Sequence, residues 1–123
     1  MFHDEAWPDW MGKAQRAART LTATTRGARG AGHSVYVVLL RDRRRADPWG
    51  LYVGQTSRDP DLRFDQHKAG YKASGATRRF GIRLLPALTE HLNPMRAWES
   101  LDLEAALAEA FRTAGVPWVE GGH

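Results

Sequence analysis

Two short apolar runs constrain the fold of this chain more than any other feature. Residues 35–40 have the sequence VYVVLL and residues 51–55 the sequence LYVGQ. This length and this content of β-branched and aromatic residues are typical of β-strands. Each run is apolar on both alternating faces, so we expect two inner strands that are covered on both sides. The polar loop between them favours antiparallel pairing of neighbouring strands.

Capping signals predict where two helices begin and end. Asp59 and Asn93 each precede a proline, and a capping side chain followed by proline is favoured at a helix start. Gly70 and Gly115 are the matching stop signals. We therefore predict two helices, residues 60–69 and residues 94–114.

A basic loop and a third strand lie between these helices. Residues 71–79 (YKASGATRR) have the composition of an exposed loop. Residues 80–85 have strand composition, and Pro86 limits their length. Residues 116–119 are a candidate for a short additional strand. The order is β-β-α-β-α, and we expect a small α+β domain with a three-stranded antiparallel sheet flanked by helices.

The first 33 residues differ from the rest of the chain because they have little to bury. Residues 10–21 can form a short basic helix, and the segment TTRGARGAGHS after them is rich in Gly, Ser and Thr. We expect residues 1–33 to be a basic flexible arm, helical in part, that contributes little to the core. The folded domain would then span residues 34–123.

Composition excludes several classes of protein. The 123 residues contain no cysteine, which excludes disulfides, thiolate zinc sites and cysteine nucleophiles. No apolar run approaches the roughly 20 residues of a membrane-spanning helix. The start, MFHDEAWPDW, is acidic and lacks the apolar stretch of a secretory signal. We therefore expect a cytoplasmic protein with no membrane partner.

Charge is distributed unevenly along the chain. Residues 12–45 hold nine Lys or Arg and one acid, whereas residues 87–123 hold six acids and two bases. A basic half with an acidic patch fits a nucleic-acid-binding protein that needs carboxylates for a metal. An uneven solvated surface would give the same pattern.

Glu104 is the most informative single residue. At 100° per residue it falls in the middle of the apolar face of the second predicted helix, among Leu103, Leu107, Ala108 and Phe111. A carboxylate buried there needs a cation or several hydrogen-bond donors. Both a salt bridge to an arginine and a metal site satisfy this requirement. The opposite side of the helix carries three acids: Glu99, Asp102 and Glu109.

Four further residues have chemistry suited to a phosphate-cleaving site. Arg63 and His67 are four apart and share one helix face; Arg suits a phosphate oxygen and His suits proton transfer. Tyr36 and Tyr52 lie within the strand runs, and pairing residue 36 with residue 52 would put both phenols on one side. Gly54 would leave that side open to a close approach. An exposed Arg–His pair and two core tyrosines are the alternative interpretation.

The order of these elements resembles that of the GIY-YIG nuclease superfamily. Four segments carry the resemblance: VYV at 35–37, YVG at 52–54, RFDQH at 63–67, and LEAALAEAF at 103–111 with the motif glutamate at Glu104. The similarity covers about residues 34–120. Ser34-Val35 stands where the family has Gly-Ile. Many members also have an Asn near the C-terminal end, where this chain has EGGH, so that contact is absent or supplied by another residue such as His123.

The resemblance implies a metal-dependent endonuclease that hydrolyses phosphodiester bonds of DNA. Glu104 would bind one divalent cation, Mg²⁺ or another such as Mn²⁺, and Arg63 would neutralise charge on the phosphate. Tyr36 would orient or deprotonate the attacking water, with Tyr52 and His67 shaping its proton network. His67 is the alternative base. We expect all five side chains to converge on one concave surface.

Basic residues outside this group are candidates for contact with the nucleic-acid backbone, and one tyrosine could stack on a base. They are Arg43, Arg44, Arg45, Lys68, Tyr71, Lys72, Arg78 and Arg79. The expected partner is DNA, with RNA left open. Two other functions stay open: a non-catalytic nucleic-acid-binding module on the same scaffold, and a protein-interaction domain that uses the acidic helix face.

Overall fold

A computed structural model describes residues 7–68 and 75–122, apart from the side chains of residues 67 and 68. The helices and strands follow in the order α1 (Met11–Arg19), β1 (Ser34–Arg41), β2 (Trp49–Thr56), α2 (Pro60–Lys68), α3 (Gly75–Phe80), β3 (Gly81–Leu84), a 3₁₀ turn (Pro86–Leu88), α4 (Ala97–Thr113) and β4 (Val119–Gly121). No helix in these described ranges is long and apolar enough to cross a membrane.

The expected α+β class is confirmed, but the sheet has four strands and mixed direction. Its order is β3-β1-β2-β4. β1 pairs antiparallel with β2, as the sequence predicts, and β3 pairs antiparallel with the other edge of β1. The additional strand is β4, which lies slightly beyond the predicted residues 116–119 and runs parallel to β2. The direction of such a strand could not be predicted, since a strand that follows a long helix can return in either direction.

Both faces of the sheet are covered, as the two apolar runs predict. Val35, Val37 and Leu39 point to a core shared with α1 and α4. Tyr36 and Val38 point to the other side, where residues of α2 and α3 cover them. Burial on both faces fixes the register of β1, because a shift by one residue would exchange the two faces.

The described part of the N-terminal segment contributes more to the core than its composition predicts. The short basic helix exists as α1, and its Ala14 and Ala18 are fully buried together with Trp10. The expectation that this segment contributes little to the core is wrong. Alanines four residues apart form a smooth stripe, which lets α1 pack closely on α4.

One of the two predicted helix starts is correct. At α2, the Asp59 carboxylate accepts a hydrogen bond from the Asp61 backbone N–H at 2.8 Å, which is the predicted cap. At α4, Asn93 instead bonds β1: its amide donates to the Val35 carbonyl at 2.8 Å and its oxygen accepts from the Val35 N–H at 2.9 Å. Asn93 therefore bonds the backbone of β1 and does not cap a helix. The helix α4 starts four residues later, at Ala97.

The predicted basic loop is helical where the structure describes it. Residues 75–80 form α3, because Ala76 and Phe80 pack against the sheet and Thr77 is buried. Residues 71–74 and Gly70, the predicted stop of α2, lie outside the described residues.

Candidate active site

Two phenols meet on one face of the sheet. Tyr36 pairs with Gly54 across β1 and β2, so it is offset by two residues from Tyr52, which pairs with Val38. The register that would pair residue 36 with residue 52 does not occur. An offset of two keeps both side chains on one side, and the ring centroids are 6.1 Å apart.

Two glycines of β2 make room for aromatic rings on this face. A Cβ at Gly54 would lie 2.5 Å from Cζ of Tyr36, and a Cβ at Gly50 would lie 2.5 Å from Cε3 of Trp118. The sequence predicts a close approach at Gly54, and it is the ring of Tyr36 that makes it. The glycines on either side of Tyr52 thus allow three aromatic side chains to pack in a row.

Glu104 lies on the inward side of α4, as the helical pattern predicts. Its side chain is 8% exposed, whereas Glu109 on the same helix is exposed. Burial alone does not separate a metal site from an ion pair. Across residues 7–68 and 75–122 there is no group of three or more metal-ligating side chains. A cation here would rely on Glu104 and water, a donor set that suits Mg²⁺.

The electrostatics of Tyr36 link residues from four elements. Burial is the main cause that raises the pKa of the Tyr36 hydroxyl well above its ordinary value, and a hydrogen bond with Tyr52 adds to the rise. The charge of Glu104 raises this pKa further, whereas the charge of Arg63 lowers it. Three of the other four predicted site residues, Tyr52, Arg63 and Glu104, thus each influence the buried hydroxyl of Tyr36.

Arg63 is placed by the first turns of α2. The cap at Asp59 fixes the start of this helix, and the Arg63 backbone N–H donates to the Asp59 carbonyl at 3.0 Å. The guanidinium Nη1 donates to Gln66 Oε1 at 3.2 Å, one turn later on the same face. The backbone of His67 belongs to α2, and its side chain lies outside the described residues.

A second carboxylate, which sequence reasoning missed, lies beside the tyrosines. Glu120 pairs with Tyr52 in the parallel β2–β4 ladder, which puts both side chains on the same face. Its Oε2 accepts a hydrogen bond from Trp118 Nε1 at 2.9 Å, and the guanidinium of Arg45 lies 3.7 Å from the Trp118 ring centroid. The alternation Trp-x-Glu is the signal that could have placed both residues on one strand face.

The predicted backbone-binding residues have different surroundings. Arg43 is exposed, whereas Arg44 pairs with Asp42 at 3.1 Å and lowers the pKa of that carboxyl. Arg78 and Arg79 lie on α3 rather than on a loop. The side chains of three predicted residues lie outside the described part of the chain: Lys68, Tyr71 and Lys72.

The prediction that Glu99 lies on the side of α4 opposite its buried face, with Asp102 and Glu109, is wrong. This residue is 6% exposed. Its carboxylate accepts four hydrogen bonds of 2.6 to 2.8 Å, from the backbone N–H and the hydroxyl of both Thr24 and Thr25. Asp102 and Glu109 are exposed, as predicted. The sequence did not indicate that the N-terminal segment folds back onto this helix.

Comparison with known proteins identifies no relative of this chain. No family model matches the chain, and neither a curated protein nor a solved structure matches it. A function for this chain must therefore be argued from the geometry and chemistry of the site itself.

Proposed function

We propose that this protein is a divalent-metal-dependent endonuclease of the GIY-YIG type that hydrolyses phosphodiester bonds of DNA. One observation carries the proposal. The buried hydroxyl of Tyr36 is hydrogen-bonded to Tyr52 and lies within the electrostatic influence of both Arg63 and Glu104. A phenol pair, a guanidinium and a buried carboxylate supply what this hydrolysis needs, and they are the residue types that the family motifs place there.

Glu104 is the residue that would hold the cation. A divalent ion bound there stabilises negative charge on the phosphate and on the leaving oxygen.

Arg63 binds the scissile phosphate in this proposal. Its guanidinium offers several donors in a planar fork, which fits two phosphate oxygens. The hydrogen bond to Gln66 limits the motion of the side chain before substrate arrives. A preorganised cation of this kind stabilises the charge that develops in the transition state.

Tyr36 acts as a neutral hydrogen-bonding group rather than as the base. Because burial raises its pKa, the hydroxyl keeps its proton near neutral pH. It can therefore orient the attacking water, with Tyr52 holding the phenol in place. The unperturbed pKa of a histidine side chain lies much closer to neutrality than that of a phenol, so His67 is the base in this proposal.

The DNA backbone would contact the predicted arginines and lysines around this face. The β1–β2 loop reaches the site through Arg45, whose guanidinium covers Trp118 beside Glu120. The other contacts are proposed at Arg43, Arg44, Lys68, Tyr71, Lys72, Arg78 and Arg79. Such contacts position the substrate without reading its sequence.

A plasmid-nicking assay tests the proposal. Supercoiled DNA should be converted to the nicked form in the presence of Mg²⁺ or Mn²⁺, and EDTA should stop the conversion. Salt-dependent binding of DNA without cleavage would instead indicate a non-catalytic module. If neither cleavage nor binding occurs, nucleic acid is not the partner.

A further inference from the structure

A turn of the N-terminal segment is fixed to the beginning of α4. The Glu99 carboxylate holds both Thr24 and Thr25. The Thr25 hydroxyl in turn accepts a hydrogen bond from the Arg96 backbone N–H at 2.9 Å. Four short hydrogen bonds to one buried carboxylate fix residues 24 and 25, and the bond from Arg96 fixes the backbone at residue 29. Residues 24–29 therefore have a defined position.

The fixed turn brings three exposed arginines together. Arg96 Nε donates to the backbone carbonyl of Arg29 at 2.9 Å. Arg26 donates through Nε to the Asn93 carbonyl at 3.1 Å and through Nη2 to the Glu90 carbonyl at 3.3 Å. These partners are neutral carbonyl groups, and the guanidinium groups of Arg26 and Arg96 have further donors for another ligand.

An exposed aromatic residue follows Arg96 in the first turn of α4. Trp98 is 54% exposed and follows Arg96 by two residues, and Leu101, one turn later, is 50% exposed. Residues three apart on a helix are neighbours, so Leu101 lies between the exposed Trp98 and the buried Glu104. Trp98 lies about 9 Å from Glu104 along the helix axis, which is on the scale of one to two nucleotides.

We propose that Arg26, Arg29, Arg96 and Trp98 form a second nucleic-acid contact surface, here called the Arg–Trp surface, which binds the strand flanking the scissile phosphate. The arginines contact phosphates, and Trp98 stacks on an unpaired base. The proposal rests on the proposed nuclease function and narrows it to substrates with an accessible single-stranded nucleotide near the cut. Glu99 is a positioning residue, because it acts through the turn that it holds.

Binding in EDTA tests the Arg–Trp surface separately from catalysis. The probes are a fluorescent single-stranded oligonucleotide and the same sequence as a full duplex. Arg29→Ala should lower the slope of log affinity against log salt by roughly 0.7 for the single strand, since one phosphate contact is lost. Arg112→Ala is the matched control, because it removes the same charge at the other end of α4 and should leave the slope unchanged.

Trp98 supplies the second arm of the test. Trp98→Leu should weaken single-strand binding roughly 5- to 100-fold, the range found for loss of one base–aromatic stack, and should change duplex binding little. Trp98→Phe should restore most of the affinity. Because Trp98 is exposed, neither variant should disturb folding, which a thermal melt checks.

Three outcomes would separate the proposals. If the wild type binds the oligonucleotide but Arg29→Ala and Trp98→Leu behave like Arg112→Ala, the Arg–Trp surface is refuted while nuclease function stands. If these variants lose binding but the wild type never cleaves with Mg²⁺, the nuclease proposal fails and the surface stands. Equal binding of a polyglutamate peptide, unaffected by Trp98→Leu, would refute the surface by showing that it takes an acidic protein.

Discussion

Glu104 and Glu109 lie on one helix five residues apart, and they differ in burial. Glu104 is almost fully buried and acts on Tyr36, whereas Glu109 is exposed. Glu104→Gln keeps the volume and removes the charge, so we expect it to abolish Mg²⁺-dependent cleavage and leave a cooperative melt. Initial nicking rates measure the effect.

Glu109→Gln is the matched control for this substitution. It makes the same chemical change on the solvent side of α4 and should alter neither the nicking rate nor the melting temperature. An inactive Glu109→Gln together with an active Glu104→Gln would show that the assigned roles of the two faces are reversed.

Gly54 has a packing role that its position in a strand motif did not reveal. A Cβ there would overlap the Tyr36 ring, so Gly54→Ala should displace that ring and lower stability by about 1–3 kcal/mol. Cleavage should fall with it. Urea unfolding and nicking rates measure the two effects, and Gly32→Ala, where no atom lies within 4 Å of the added Cβ, should change neither. Wild-type values for Gly54→Ala would contradict the packing role.

At the scale of elements, Glu99 fastens the N-terminal segment to α4 in a pH-dependent way. Its hydrogen bonds, with the Thr25 hydroxyl foremost, lower the pKa of Glu99 from about 4.5 to about 2. A lowered carboxyl pKa stabilises the folded state above the unfolded pKa, and this contribution is lost as pH falls from about 4.5 to about 2. The destabilisation caused by Glu99→Gln should therefore be largest above pH 4.5 and shrink at lower pH.

Melting temperatures of both proteins at several pH values between 7 and 2 measure this difference. Glu109→Gln serves as the control and should track the wild type throughout. A gap between wild type and Glu99→Gln that stays constant from pH 7 to pH 2 would show that the ionised carboxylate does not fasten the turn.

The elements that the sequence predicted well are those specified by local signals. β1, β2 and α2 lie within about two residues of their predicted bounds. The signals that specify them, the apolar runs of the strands and the Asp59 cap of the helix, each lie within a single segment. The errors lie where distant segments decide the outcome. Asn93 bonds Val35 instead of capping a helix, and β4 pairs in parallel with a strand far from it in sequence.

In the candidate site, too, features set by local signals could be predicted, and features set by contacts between distant segments could not. The helical pattern was enough to place Glu104 on an inward face. Tyr36 and Tyr52 share a side because the observed register is offset by an even number of residues from the one considered. The sequence could not show that the ring of Tyr36 occupies the space next to Gly54, or that Glu120 lies beside Tyr52. Each of these contacts depends on the register between two strands.

For the whole molecule, folding redistributes the acids of the C-terminal third. Of its six, Glu99 and Glu104 are buried and Glu120 is half-buried against Trp118. Only Glu90, Asp102 and Glu109 are exposed. The acidic face of α4 is therefore smaller than the sequence suggests, which weakens the case for docking a basic protein and favours internal roles for these carboxylates.

The basic half of the chain supplies the last prediction. Arg43→Glu combined with Arg44→Glu should weaken DNA binding equally for unrelated sequences and flatten its salt dependence, because phosphate contacts carry no sequence information. Arg45 is left unchanged, since it stacks on Trp118 and its loss would disturb packing near Glu120. Titrations of several duplexes at increasing salt measure both effects, with Arg112→Glu as the control for a charge reversal outside this loop. Unchanged affinity at low salt would mean that the β1–β2 loop faces away from the substrate, and the DNA path would then have to follow α3 and the Arg–Trp surface instead.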